Sequence, residues 1–318
     1  MSGEKGKHAP VLVPMPNPSA GSTNPAASLS SLWGYIQPAL DHIVRSVSHD
    51  TSKAPAIDVG YHMGIHTATY NYFSTQSEHA SADKVSTSGI DLYEQLDKYY
   101  AEVARDLLLG APQDDSALIQ YIITCFHRYS VGAYAVNRLL NYVNRHIVRR
   151  AVEENRGWLH LNDMITNVVR TITTEDENSK ERRTEELKQW GYVDGGSATL
   201  IAEAEACAEA ASPLDHIVPV SSLALRRLRV EFFEPLLAVP KVKGRAKVKN
   251  KKPLLVNGGK MGPKGRLARA AKTLLELEGR DEEERRKVAE ELANALRMVG
   301  IRAEHPLRKK LDTFVAQT

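Results

Sequence analysis

An all-α fold is predicted from three features of the sequence. Apolar residues recur at three- and four-residue steps through successive stretches of the first half, the repeat of one helix face. Strand-like alternation is scarce in the same region. Short breaks carrying Gly, Pro or Asp separate the stretches, so roughly 120 residues hold five helices on short connections, a helical bundle.

Residues 1–28 are rich in Pro, Ser, Gly and Ala and are expected to form a disordered arm. Residues 29–155 make the bundle. Ser30 and Ser31 are expected to cap a first helix beginning near Leu32, with Leu32, Ile36, Leu40, Ile43 and Val47 as its stripe. Pro38 lies inside and predicts a kink or a later start. Pro55 and Gly60 bracket a break. A second helix follows from about Val59 to Gln76, with aromatic and His residues on several faces: Tyr61, His62, His66, Tyr70, Tyr72 and Phe73. These rings either fill the bundle core or form an interface, and a helix with more apolar positions than one stripe can hold permits both. Residues 77–88 are polar and read as a loop. The third helix, Ile90 to Leu109, carries Ile90, Tyr93, Leu96, Tyr100, Val103 and Leu107, and Gly110 with Pro112 stops it.

Asp114, Asp115 and Ser116 open a fourth helix running to about Tyr129, with Leu118, Tyr121, Ile122, Cys125 and Phe126 on its apolar face. A break near Ser130 and Gly132 is expected before the fifth helix, Val136–Arg150. That helix has an apolar stripe of Val136, Leu139, Leu140, Val143 and Ile147. Asn137, Asn141, Asn144 and Arg145 point elsewhere, with Tyr142 and His146 at the border. Residues 156–239 are expected to be a helical extension with a charged insertion. It has an apolar stretch at Trp158–Val168, dense mixed charge over 175–189, a loop at 191–197, and helices over Thr199–Ala211 and Ser221–Leu237. Residues 240–266 hold ten Lys or Arg and no acid, interrupted by Gly, Pro and Asn, a flexible basic linker. Residues 267–318 form a small C-terminal helical segment.

The totals exclude several classes. The 318 residues are 42% hydrophobic and 25% charged, an ordinary soluble balance. No run approaches the roughly 20 apolar residues of a membrane span, and the N-terminus lacks the pattern of a secretory signal. Two cysteines, Cys125 and Cys207, fit a reducing compartment, and cytoplasm and nucleus are the expected locations. A net charge of +3 does not mark the whole chain as a polyanion binder. The basic linker has that character locally: it suits phosphate neutralisation, a nuclear import signal at KNKKP, or a solvated tether. Nucleic acid is therefore a possible partner, anchored through residues 241–266.

No cofactor is expected. His62 and His66 stand at the i, i+4 spacing that can hold zinc, but no third ligand accompanies them. GGKMGPKG at 258–265 lacks the order of a phosphate loop, and GxSxG is missing. Cys125 sits on an apolar stripe, and Cys207 has no evident base. The chain is therefore expected not to be an enzyme.

Four segments, in order and at similar spacing, resemble the N-terminal repeat of cullin-type ubiquitin-ligase scaffolds, in the class that binds Skp-type adaptors. They are LWGYIQPAL, YHMGIHTATYNYF, GIDLYEQLDKYY and LNYVNRHIVRR, covering roughly residues 30–160. SSLALRRLRVEFFEPLL resembles the helix that follows closely in that family, displaced here by some sixty residues. The resemblance implies a non-catalytic scaffold whose second and fifth helices meet a BTB/POZ-fold adaptor, itself carrying F-box proteins. By position, the adaptor-binding residues are His62, Met63, Ile65, His66 and Tyr70, with Tyr142, Asn144 and His146 from the fifth helix. The family often has Tyr at positions 62 and 66, so histidine there implies pH-sensitive docking. Nothing in the chain resembles the region that recruits the RING subunit, so that partner is not expected.

Overall fold

The computed structural model of the chain describes residues 24–46, 51–79, 89–153, 181, 184–239, 265–276 and 282–317. The fold is all-α, and no strand occurs among the described residues. Helix α1 spans Leu29–Val44, α2 Val59–His79, α3 Ile90–Leu109 and α4 Asp115–Leu139. Helix α5 is composite: Asn141–Val143, a π-helical turn at Asn144–Val148, and Arg149–Glu153. A short helical stretch at 184–189 precedes α6, Ala198–Ala211. Helix α7 is composite too, joining Val220–Leu228, a π-helical turn at Arg229–Phe233, and Glu234–Leu237. Helices α8 (Arg266–Glu276), α9 (Glu282–Met298) and α10 (Pro306–Ala316) complete the chain.

Helix α1 starts a turn earlier than its sequence signal. Ser28, not Ser30 or Ser31, is the cap: its Oγ accepts the Ser31 N–H at 3.1 Å, satisfying one of the free amides of the first turn. The segment ahead of it is tied down as well, because the Asn24 side chain accepts the Ala26 N–H at 3.0 Å and Ala26 is buried. Pro38 stays within α1. Both Pro38 and Gly34, four residues earlier, are exposed, so the carbonyl that loses its amide donor can reach water.

The expected break at Ser130 and Gly132 does not exist; α4 runs through it to Leu139. A Cβ on Gly132 would stand 3.2 Å from the Ile43 carbonyl oxygen. The glycine is therefore a contact point where α1 crosses α4 and not a helix breaker. Ser130 turns its hydroxyl back to the His127 carbonyl at 3.1 Å, an internal use that leaves the helix intact. The real corner is Leu140, with φ −102° and ψ 30°. It is buried in mid-stripe, so its apolar character hid the change of direction.

Helix α4 is the spine, with α1, α2, α7, α8 and α9 packed around it. A single apolar core runs from Ala26 through Leu32, Leu96, Ile122, Leu223 and Leu267 to Leu311. Helices α1–α5 and α8–α10 thus share an interior. Helix α7 is fastened to α3 and α4 by buried polar contacts. The Tyr93 hydroxyl donates to the Val218 carbonyl at 2.8 Å and accepts the Val218 N–H at 2.9 Å. Tyr129 donates to the Ala224 carbonyl at 3.0 Å, and Arg227 forks onto Asp97, with Nε to Oδ1 at 2.7 Å. A second, smaller cluster joins Leu187, Trp190, Ala204, Cys207 and Ala208 beneath Met298.

The loop at 191–197 forms as expected, with Gly191 and Gly195 at φ 95° and 79°. The apolar stretch at 158–168, most of the charged insertion, and residues 240–264 of the basic linker lie outside the described residues. So do residues 1–23 of the arm and residues 80–88 of the stretch expected to be a loop, whose first three residues, 77–79, instead continue α2.

Candidate protein-docking surface

Helix α2 has two differently used faces. Tyr61, Ile65, Ala68 and Tyr72, at steps of four and three, turn into the core together with Phe73. Asp58 accepts the Tyr61 N–H at 3.1 Å and starts the helix. The opposite face carries His62, Met63, His66 and Tyr70 into solvent, with Met63 57% and Tyr70 50% exposed. Both faces are rich in large side chains, which explains why the sequence showed no single stripe.

The two helices of interest meet at Tyr142. Its half-buried ring lies 5.5 Å from the Tyr70 ring, 5.3 Å from Phe73 and 6.2 Å from His66, all edge to face. His146 stacks on it from the next turn of α5, with centroids 3.9 Å apart and planes 25° apart. Edge-to-face and offset-stacked pairs are the favoured aromatic geometries, each worth about 0.5–1.5 kcal/mol beyond area burial. Phe73 had not been assigned to this surface from sequence. It links the rings to the core by touching both Tyr142 and, at 6.0 Å, His146.

Burial among the rings lowers the pKa of His146 below that of a free histidine, and the positive charges of Arg150 and Arg145 push it the same way. Burial raises that of the Tyr142 hydroxyl, with Tyr70 adding to it. The surface is thus aromatic and histidine-bearing, with a cationic edge on α5.

Two of the residues placed on this surface from sequence have other surroundings. Ile65 is fully buried and belongs to the core, one step of four beyond Tyr61 on the inward-facing stripe. Asn144 is turned inward. Its Nδ2 donates to Asn137 Oδ1 at 2.8 Å, and its Oδ1 accepts the Val220 N–H at 3.0 Å. Asn137 Oδ1 also accepts the Ser221 N–H at 3.1 Å. The residue preceding α7, Pro219, has no side chain to cap it, so two asparagines from α4 and α5 cap that helix instead. The sequence signal for this was weak. Two asparagines seven apart could be seen, but their partners lie 76 and 84 residues further on.

Among the described residues no group of three or more His, Cys, Asp or Glu is placed to hold a metal ion. The thiols of Cys125 and Cys207 are buried, and burial raises both pKa values, that of Cys207 to about 11, which holds them in the protonated, unreactive form. Exposed Met and Tyr backed by stacked rings are instead the composition of an interface core. No described helix is long and apolar enough to cross a membrane.

No protein-family model matches the chain, and no solved structure matches it. Among curated proteins, it is 26% identical over 151 residues to cell division control protein 53 of Saccharomyces cerevisiae. The alignment covers 43% of this chain and 18% of that protein. The chain therefore matches less than a fifth of its relative's length.

Proposed function

We propose that the chain is a non-catalytic, cullin-like scaffold module of a ubiquitin-ligase system of the SCF type. It binds a Skp-type BTB/POZ-fold adaptor, and through it F-box proteins, in ubiquitin-dependent protein degradation or in competition with a full-length cullin. The observation that carries this reading is the junction at Tyr142, where α2 and α5 combine into one exposed aromatic surface. These are the two helices that the cullin resemblance assigns to the adaptor, and the distant likeness to cell division control protein 53 points the same way. Met63 and Tyr70 are the anchors, large and solvent-facing with a rigid backing; His62, His66, Tyr142 and His146 surround them. Activity in cytoplasm and nucleus goes with this role.

The test is capture of a purified Skp-type adaptor by the full chain, and then by Met63→Glu and Tyr70→Glu. Placing a carboxylate in a desolvated contact costs several kcal/mol, so each variant should lose capture while its helical circular dichroism stays unchanged. Capture retained by both variants overturns the site. No capture by the unaltered chain overturns the reading.

A further inference from the structure

A cavity of about 380 Å³ lies between the end of α7 and helices α8 and α10. It shares no residue with the α2–α5 surface. Its walls are apolar: Leu237, Ala268, Leu275, Pro306 and Leu307. Gly265 closes it at one side, approaching Leu237 so tightly that a Cβ would overlap the Leu237 carbonyl. The polar groups at its margin are Lys272, Lys310, Glu276 and His305. They are not equivalent. Lys272 faces Glu276 at 3.5 Å, so that pair is internally neutralised. The His305 Nδ1 accepts the Leu307 N–H at 3.3 Å, which fixes the unprotonated nitrogen there. Among the described residues no carboxylate stands within ion-pair distance of Lys310, leaving one uncompensated cation beside an apolar hollow.

We infer that this cavity binds an aliphatic carboxylate, its chain between α8 and α10 and its head on Lys310. Small-molecule sites are concave, mostly apolar and about 300–1,000 Å³, with a few polar groups that set orientation. At about 380 Å³ the hollow lies at the small end of that range, so a medium-length chain such as decanoate is the fitting probe. A single free cation favours a monoanionic head over a phosphate dianion. Lysine suits the task, since its stem can cover apolar wall while its ammonium stays at the mouth.

The test uses the full chain and three probes of equal length, decanoate, decanol and decylamine, each by titration calorimetry below its micelle concentration. Decanoate should bind at least about tenfold more tightly than decylamine. Ala268→Phe fills the hollow and should abolish decanoate binding. Lys310→Met should weaken decanoate severalfold and leave decanol unchanged. Thermal unfolding of each variant checks that the fold persists, and Leu275→Trp serves as a second blocking variant. Failure of all three probes to bind overturns the inference, as does decanoate binding that survives both blocking variants. Equal affinity for decanoate and decylamine overturns the role of Lys310.

Discussion

The side chain of Asn144 caps a helix that begins at Val220, 76 residues later, its Oδ1 accepting the Val220 N–H at 3.0 Å. Asn137 completes the cap by accepting the Ser221 N–H at 3.1 Å and the Asn144 amide at 2.8 Å. Loss of a capping side chain costs about 0.5–2 kcal/mol. Asn144→Ala and Asn137→Ala should each lower stability by about that amount in urea unfolding, and the double variant should cost less than their sum, because the two share one network. Additive losses would show that the two amides act separately.

The two sides of α2 should respond differently. Ile65→Ala removes buried methyl groups from the core and should cost about 2–4 kcal/mol. Met63→Ala, on the exposed side, should stay within about 0.5 kcal/mol while weakening adaptor capture. Equal destabilisation by both would mean that Met63 is packed in solution.

Gly132 separates close helix approach from helix propensity. Alanine there gains roughly 1 kcal/mol of propensity but places a methyl 3.2 Å from the Ile43 oxygen, so its net effect should be small. Leucine cannot be accommodated against α1 and should cost about 1–3 kcal/mol. Chemical denaturation of Gly132→Ala and Gly132→Leu reads both effects, and a neutral leucine variant would contradict the close crossing.

His146 gives a pH dependence with a definite sign. Its pKa in the folded chain lies below that of a free histidine, so the unfolded state binds the proton more readily and stability rises with pH. The contribution is present above about pH 6.5, the value for a free histidine, and is lost as pH falls through the lower folded value. His146→Phe keeps the ring on Tyr142 and should flatten the unfolding midpoint between about pH 5 and 7. An unchanged slope would assign the dependence elsewhere.

The stripes of α1 and α3 were legible because they are local: Leu32, Ile36, Leu40, Tyr93, Leu96, Tyr100 and Val103 repeat at helix spacing and are buried. Features set by distant partners were not. Gly132 carries the local mark of a breaker, and only the α1 backbone beside it shows its use. Leu140 looks like core and is core, so its turn was invisible. The π-helical turn at Asn144–Val148 leaves no mark in an apolar repeat. On the candidate surface, Met63, His66, Tyr70, Tyr142 and His146 could be named from sequence. Ile65 was placed outward because position along a motif does not reveal rotation about the helix axis. Asn144 was placed outward because its acceptor and donor partners come from other elements.

The contact of Gly265 with Leu237 has a practical consequence. Val239 ends one described stretch and Gly265, which begins the next, lies against Leu237, while α8 places Leu267, Ala270, Ala271 and Leu274 in the common interior. A polypeptide made as two fragments, ending at 239 and beginning at 265, would bring its new termini together on reassembly. The second fragment supplies three helices of shared core, so the pair should co-purify as a noncovalent whole, and the cut offers a place to insert a reporter without disturbing the α2–α5 surface.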